Sequence, residues 1–509
     1  MKKHLLLYLC FIAYFFCLNI VYAKKVEIKD AKNVAINFYI EHSSRVISPK
    51  SVIITEDYTV KEESAEMYYV FNFNLDGFVI VAADDAVHPV LAYSYEKPYS
   101  DKDISPEFAY WMNNYKNQIK YIINNKLSST VGIIAEWTHL NAPPTNFNSE
   151  KEINTVGPLL LSTWDQGQCY NSLCPEDPQG SGGHVWVGCV ATAMAQLMYY
   201  YRYPETGQGS HSYNSPYGYL SANFGATTYD WNAMTNSCMN YNSEIAKLSS
   251  HLGISVNMNY NINGSGASTW DAANSLVDYF KYSPAIQSDY KNNYSETDWK
   301  NILINEFDNS RPVLYVGYEP NYSSGHAFVC DGYQGTDYFH FNWGWSGHYD
   351  GFFYLNNLNP GYNFTLDQMA VYNIFPADNY PLFCSGSKNL TTETGTIEDG
   401  SGPNNYQNNS DCSWLISPVG ADHINLSFNY FNTEESNDVL VVYDGPDASA
   451  PVIGTFSGST LPSDISSTAS TMFIKFTSNA TVNSTGWMAT YITTYANYCS
   501  GVTTLTAPN

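Results

Sequence analysis

The chain runs to 509 residues, too many for one hydrophobic core, and 44% of them are hydrophobic, so it is a globular protein of three or more domains. Its 48 acidic residues against 23 Lys and Arg leave a net charge of −25. A surface of that sign repels nucleic acid and anionic lipid, and neither is an expected partner.

The N-terminus has a basic start (Lys2, Lys3), an apolar run over 5–21 and then Val21-Tyr22-Ala23. This is the pattern of a secretory signal cleaved after Ala23. Residues 1–23 are therefore read as a signal peptide, and the mature protein is expected to be secreted or held at the cell surface. No later stretch is long and apolar enough to span a membrane.

Residues 24–150 form the next block. The spacing predicts an amphipathic helix over 31–41, strands over 67–73 and 77–83, and a second helix over 106–124. In that helix Phe108, Trp111, Met112, Tyr115, Ile119 and Ile122 recur at helical intervals. The polar stretch 141–154, with Pro143-Pro144, reads as a linker. The block carries no catalytic constellation, and its place between signal and nucleophile suits a propeptide.

Residues 151–376 carry the chemistry. Cys189 opens an apolar segment over 190–201 that has no Pro or Gly, a buried helix with a cysteine at its N-terminus. The dipole and free N–H groups there favour a thiolate. His326 follows far downstream in Gly325-His326-Ala327-Phe328-Val329, the order of a papain-like Cys–His pair, and an ion pair between the two is expected. Helices over 243–253 and 299–309 precede the histidine, and strands over 327–333, 338–342 and 351–355 follow it. Helices first and an antiparallel sheet after is an α+β layout. Asn342, one hairpin on, offers an amide oxygen to the imidazole N–H, and Trp343 is placed to shield that contact from water. His340 shares a strand face with Asn342 and is assigned a packing or solvated role. Asp331, five residues from His326, should point to the opposite face.

Residues 384–495 alternate polar and apolar positions in short runs, such as Ile424, Leu426, Phe428 and Tyr430, between Gly, Pro, Ser and Asn. This predicts a β-sandwich. In the last stretch, 496–509, Tyr498-Cys499-Ser500-Gly501 echoes Phe383-Cys384-Ser385-Gly386 and reads as the start of a further module. The mature cysteines include no CxxC pairs, which argues against structural zinc. Cys384 and Cys412 are expected to form one disulfide, Cys169 and Cys174 are the candidates for another, and Cys238 and Cys330 are read as core thiols.

The segments Gly188-Cys189-Val190-Ala191-Thr192-Ala193-Met194-Ala195-Gln196, Gly325-His326-Ala327-Phe328-Val329 and Phe341-Asn342-Trp343-Gly344-Trp345-Ser346-Gly347 resemble, in order, three signatures of the streptopain family of secreted bacterial cysteine proteases. That resemblance implies a papain-like α+β peptidase domain preceded by a small α+β prodomain. It supports roles for Asn342 and Trp343 and makes Gln166 the oxyanion donor beside the Cys189 backbone N–H. Gly77 to Asp85 and Pro89 to Ser94 look like the inhibitory prodomain of the same family. The C-terminal block is similar to a CUB domain, a β-sandwich that in many instances holds calcium. Glu434 and Asp438 match two such ligand positions, while Asn479 stands where an Asp often sits. The expected protein is a cysteine endopeptidase stored as a zymogen, with no cofactor needed for catalysis. Its partners would be protein and peptide substrates and its own prodomain. The alternative is an inactive protease-fold adhesin acting through the CUB-like module.

Overall fold

A computed structural model describes residues 24–43, 47–143, 154–239, 241–318, 325–359 and 367–496. The stretch read as a signal peptide, the middle of the expected linker and the repeated Tyr498-Cys499-Ser500-Gly501 lie outside these.

The first block holds α1 (Ile28–His42), β1 (Ile54–Glu62), β2 (Ala65–Phe73), β3 (Phe78–Ala82), β4 (Val90–Ser94), α2 (Pro106–Asn125) and α3 (Val131–Leu140). The predicted helices and strands are present within a few residues. Helix α2 begins where expected because Ser105 caps it, accepting the Phe108 N–H, with Pro106 in its first turn.

The second block contains β5 (Thr155–Val156), β6 (Glu176–Ser181), α4 (Cys189–Tyr201), β7 (His211–Ser215), β8 (Gly218–Ala222), α5 (Ser243–Ser255) and α6 (Thr269–Phe280). It continues with β9 (Gln287–Tyr290), α7 (Glu296–Asp308), β10 (Val313–Tyr318), β11 (Gly325–Gln334), β12 (Tyr338–Asn342), β13 (Gly351–Tyr354) and β14 (Asp367–Tyr372). Helices precede an antiparallel sheet, as the α+β reading requires.

The two blocks are not separate cores. Among the described residues one sheet of 11 strands runs β1-β2-β3-β4-β13-β12-β11-β10-β14-β9, with β5 attached to β11. The joint is β4 on β13, where Tyr93 lies opposite Phe352 and Ala92 opposite Phe353. Successive side chains of β11 face opposite ways. Ala327 and Val329 pack with α4, whereas Phe328 and Cys330 pack into a core shared with Trp111 and Met112 of α2.

The third block has nine strands in two sheets. These are β15 (Gly386–Leu390), β16 (Thr394–Glu398), β17 (Asp411–Ile416), β18 (His423–Asn432), β19 (Val439–Tyr443), β20 (Val452–Phe456), β21 (Ile465–Ser466), β22 (Met472–Thr477) and β23 (Gly486–Thr494). The orders are β15-β17-β22-β19-β20 and β16-β23-β18-β21. This sandwich has its own core around Trp414 and Trp487. Yet it also docks on the second block. Arg202, which caps the C-terminus of α4, meets Glu398 at 2.9 Å with both side chains buried, and the Asn232 amide donates to the Thr396 carbonyl at 2.9 Å.

The cysteines correct one expectation. Cys384 and Cys412 are bonded as anticipated, but Cys169 pairs with Cys238, across a Cα–Cα distance of 6.2 Å, and not with Cys174. Cys174 turns inward and is a buried free thiol; burial pushes it up to about 12, against the opposing pull of a hydrogen bond with Tyr260. Cys238 is accordingly no core thiol, whereas Cys330 is buried and unpaired as expected.

Candidate active site

The cleft is built around the start of α4. Gly188, immediately before it, has φ +96°, and a Cβ there would meet the Met258 thioether at 2.7 Å, so only glycine serves. Cys189 is thereby the first residue of the helix, at the positive end of its dipole. Its Sγ accepts the Ala327 N–H at 3.5 Å, which ties α4 to the strand carrying the histidine.

His326 lies opposite Gly317 on β10. The bare backbone of Gly317 leaves room for Tyr110 of α2, whose ring stands 5.7 Å from the imidazole. Gln166 is fixed through its backbone: its carbonyl accepts the Val187 N–H at 3.0 Å, and its own N–H donates to Asp165 Oδ1 at 2.5 Å. Cys189, His326 and Gln166 line one cleft of about 510 Å³, together with Trp186 and Val316.

Into this cleft projects Glu107, from the first turn of α2. Its Oε1 accepts a hydrogen bond from Gln166 Nε2 at 3.1 Å and lies 3.8 Å from His326 Nδ1. The residue is 2% exposed, and its second oxygen has no partner among the described residues. Cys189 keeps part of its surface, but the protein packed around it, and secondarily the Glu107 charge, push its thiol up to about 12. In this form enclosure and a nearby carboxylate oppose the thiolate that the helix dipole favours.

Asn342 and Trp343 lie on the neighbouring strand. Val329, and not His326, is the residue opposite Asn342. The Asn342 amide oxygen accepts from Gln196 Nε2 at 2.9 Å and from the Gly344 N–H at 3.1 Å, while its Nδ2 donates to the Ser162 carbonyl at 2.8 Å. Trp343 is fully buried, its Nε1 donating to the Tyr349 carbonyl and its ring packed on Phe328 and Phe108. Among the described residues neither is bonded to His326. His340 is buried between Asp331 Oδ1 (2.6 Å) and Glu96 Oε1 of the first block (2.7 Å). It is thus a packing residue held by charge. Glu107 and Gln196 are the two contributors that sequence reasoning passed over.

Glu434 and Asp438 come together in the sandwich. Asn479 Nδ2 donates to Glu434 Oε2 at 2.5 Å, and the Asn479 N–H and the Tyr406 hydroxyl donate to the two Asp438 oxygens. No set of three His, Cys, Asp or Glu suited to a metal occurs among the described residues.

Residues 164–353 match the Peptidase C10 family, residues 23–119 the Spi protease inhibitor family and residues 384–491 the CUB domain. The thiol protease/hemagglutinin PrtT of Porphyromonas gingivalis is 31% identical over 385 residues, 71% of this chain and 43% of its own length. Streptopain of Streptococcus pyogenes is 30% identical over 355 residues, 65% of this chain and 85% of streptopain. A solved fragment of Prevotella intermedia prointerpain A is 30% identical, with a TM-score of 0.50 over 64% of this chain and 100% of the fragment. The chain spans less than half the length of PrtT and most of streptopain.

Proposed function

Because this chain belongs to the Peptidase C10 family of cysteine peptidases, we propose that it is a secreted endopeptidase made as a zymogen, with residues 24–150 as its inhibitory propeptide. The observation that carries the zymogen reading is Glu107, a propeptide carboxylate bonded to Gln166 and close to His326. A carboxylate oxygen there takes the hydrogen bond that a tetrahedral oxyanion would need, and its charge opposes a thiolate at Cys189.

With the propeptide gone, the same groups support acyl transfer. His326 takes the Cys189 proton, and the sulfur attacks the substrate carbonyl carbon. The Cys189 backbone N–H and the Gln166 amide donate to the resulting oxyanion. The intermediate collapses as His326 protonates the departing amine, leaving a thioester. Water, deprotonated by His326, then attacks the thioester and releases the acid and the thiol. In this reading Asn342 orients the imidazole in the mature enzyme, which requires one of the two bonds its oxygen now accepts to yield. Trp343 backs that contact from the core.

Secretion is supported by the basic, apolar and small-residue pattern of 1–23, and no helix among the described residues is long and apolar enough to cross a membrane. For the sandwich we infer calcium at Glu434 and Asp438, held once the Asn479 side chain turns its oxygen toward them. Two carboxylates, a Tyr hydroxyl and an amide oxygen are the hard donors that ion takes.

Wild type and Cys189→Ala, expressed with the N-terminal signal and followed by intact-mass analysis, test the reading. Wild type should lose its first block and cut casein. The mutant should lose only the signal. A wild type freed of its first block that cuts neither casein nor a peptide library would overturn it.

A further inference from the structure

Gln196 lies two turns along α4 from Cys189, on the same side of the helix. It is fully buried, and most buried polar side-chain groups are paired. Its Oε1 accepts from Ser162 Oγ at 2.9 Å and from the Trp164 N–H at 3.1 Å. Its Nε2 donates to Asn342 Oδ1 at 2.9 Å. Asn342 closes the ring by donating to the Ser162 carbonyl.

The three strands of chain that meet here are the ones catalysis needs. Trp164 stands two residues before Gln166, in the segment whose carbonyl also receives the Ser346 N–H. Asn342 begins the Asn342-Trp343-Gly344 turn, and Gly344 passes so close that a Cβ would lie 3.2 Å from Thr192 of the same helix. The helix itself carries the nucleophile. The bonds also fix which end of the Asn342 amide is which, since a donor faces its oxygen and an acceptor faces its nitrogen.

We propose that Gln196 is a positioning residue of the active site: from α4 it sets both the Gln166 segment and the Asn342 amide against Cys189. This rests on the peptidase reading above. Gln196 touches no reacting atom. It acts by holding the oxyanion donor and the imidazole's acceptor within the narrow tolerance that acyl transfer demands, where small misplacement costs rate and not affinity. A carboxylate at this position would keep both acceptor bonds but lose the donor to Asn342, which separates the two halves of the role.

The test compares full-length wild type, Gln196→Met and Gln196→Glu, matured in trans by a trace of wild type. Active sites are then counted by a radiolabelled epoxide, and melting temperature, kcat, KM and the pH profile are recorded on a short fluorogenic peptide. Gln196→Met should fold, lose about 10²-fold in kcat per active site and change KM less than about threefold, the pattern of a misaimed oxyanion donor. Gln196→Glu should keep more of kcat than Gln196→Met but shift the acid limb of its profile, because the imidazole's acceptor is no longer fixed. A folded Gln196→Met with wild-type kcat overturns the proposal. So does loss of activity only in proportion to loss of folded protein, or failure of both variants to fold, since either would make Gln196 a strut of the core. A wild type that cuts nothing overturns the peptidase reading itself and is distinguished by the wild-type arm alone.

Discussion

Glu107 of the first block and Gln166 of the peptidase domain share a hydrogen bond of 3.1 Å, made with the amide that the proposed mechanism assigns to the substrate oxyanion. Because the same carboxylate faces His326, one side chain engages two members of the proposed catalytic set and opposes the charged form of the third, Cys189.

Removal of that carboxylate should hasten activation. A buried hydrogen bond to a charged group contributes about 1.5–3 kcal/mol, so Glu107→Ala should autoprocess on the order of 10-fold faster or more. A time course of purified protein on a denaturing gel measures this. Processing at the wild-type rate would show that helix packing, and not Glu107, keeps the enzyme shut.

The thiol gives a pH signature. With the propeptide in place Cys189 sits near 12, against about 8.5 for a free thiol. Iodoacetamide should therefore react slowly with Cys189 in the Glu107-bearing zymogen across neutral pH, and quickly once the first block is removed. The linkage has a sign: the complex holds its thiol proton where the separated peptidase has lost it. Propeptide binding should thus weaken as pH rises from the free value toward 12. Binding that tightens over that range would contradict the assignment.

Asn342→Ala should preserve the fold while lowering kcat more than it raises KM, because an orienting group acts on the imidazole and not on substrate binding. Steady-state kinetics of the matured variant decide it. An unchanged kcat would remove Asn342 from the set and leave its amide as Gln196's partner only.

Glu398→Ala leaves Arg202 buried without its carboxylate at the end of helix α4, with the Trp231 carbonyl and the Tyr199 hydroxyl as its remaining oxygen acceptors. Breaking a buried pair on one side costs about 3–5 kcal/mol, read here by urea denaturation of the zymogen. A chain ending near Pro376 frees Arg202 to solvent instead. It should melt several degrees lower yet still cut a short peptide, since no member of the catalytic set comes from the sandwich. Complete loss of peptide cleavage in a folded truncation would assign the sandwich a part in the cleft.

Millimolar calcium should raise the melting temperature of the sandwich in wild type and leave Glu434→Gln unchanged. By mass action an excess of 100 times Kd stabilises by about 2.7 kcal/mol. Identical melting with calcium or chelator would remove the ion from the proposal.

The meeting of Cys189 and His326 in one cleft was legible because each sits in a run of neighbours that fixes its local structure: a helix start after Gly188, a strand from Gly325. The order of blocks was legible for the same reason. What escaped depends on contacts between distant segments. Glu107 looked like an ordinary acidic residue in the first turn of a helix, where the dipole welcomes it. The signal present in the sequence was its place on the apolar stripe, one turn before Trp111. Gln196 stood inside the quoted nucleophile motif but had no stated task. Cys169 found Cys238 because the fold, and not proximity in the chain, brings them together. The joining of β4 to β13 could not be read from alternation, since a strand's pattern does not name its neighbour.

That joint has a consequence for how the protein opens. Tyr93 with Phe352 and Ala92 with Phe353 form a seam shorter than the ladders on either side of it. Cutting the chain between the blocks leaves this seam and the aromatic packing beneath it untouched, so a nicked molecule stays closed. Proteolysis and unlatching are then two separate events, and the second sets the pace if the freed fragment is not itself digested. When the halves do part, residues 351–354 become a bare sheet border with unpaired amides. The newly opened enzyme must hide or occupy that border, or it will recapture its own discarded half.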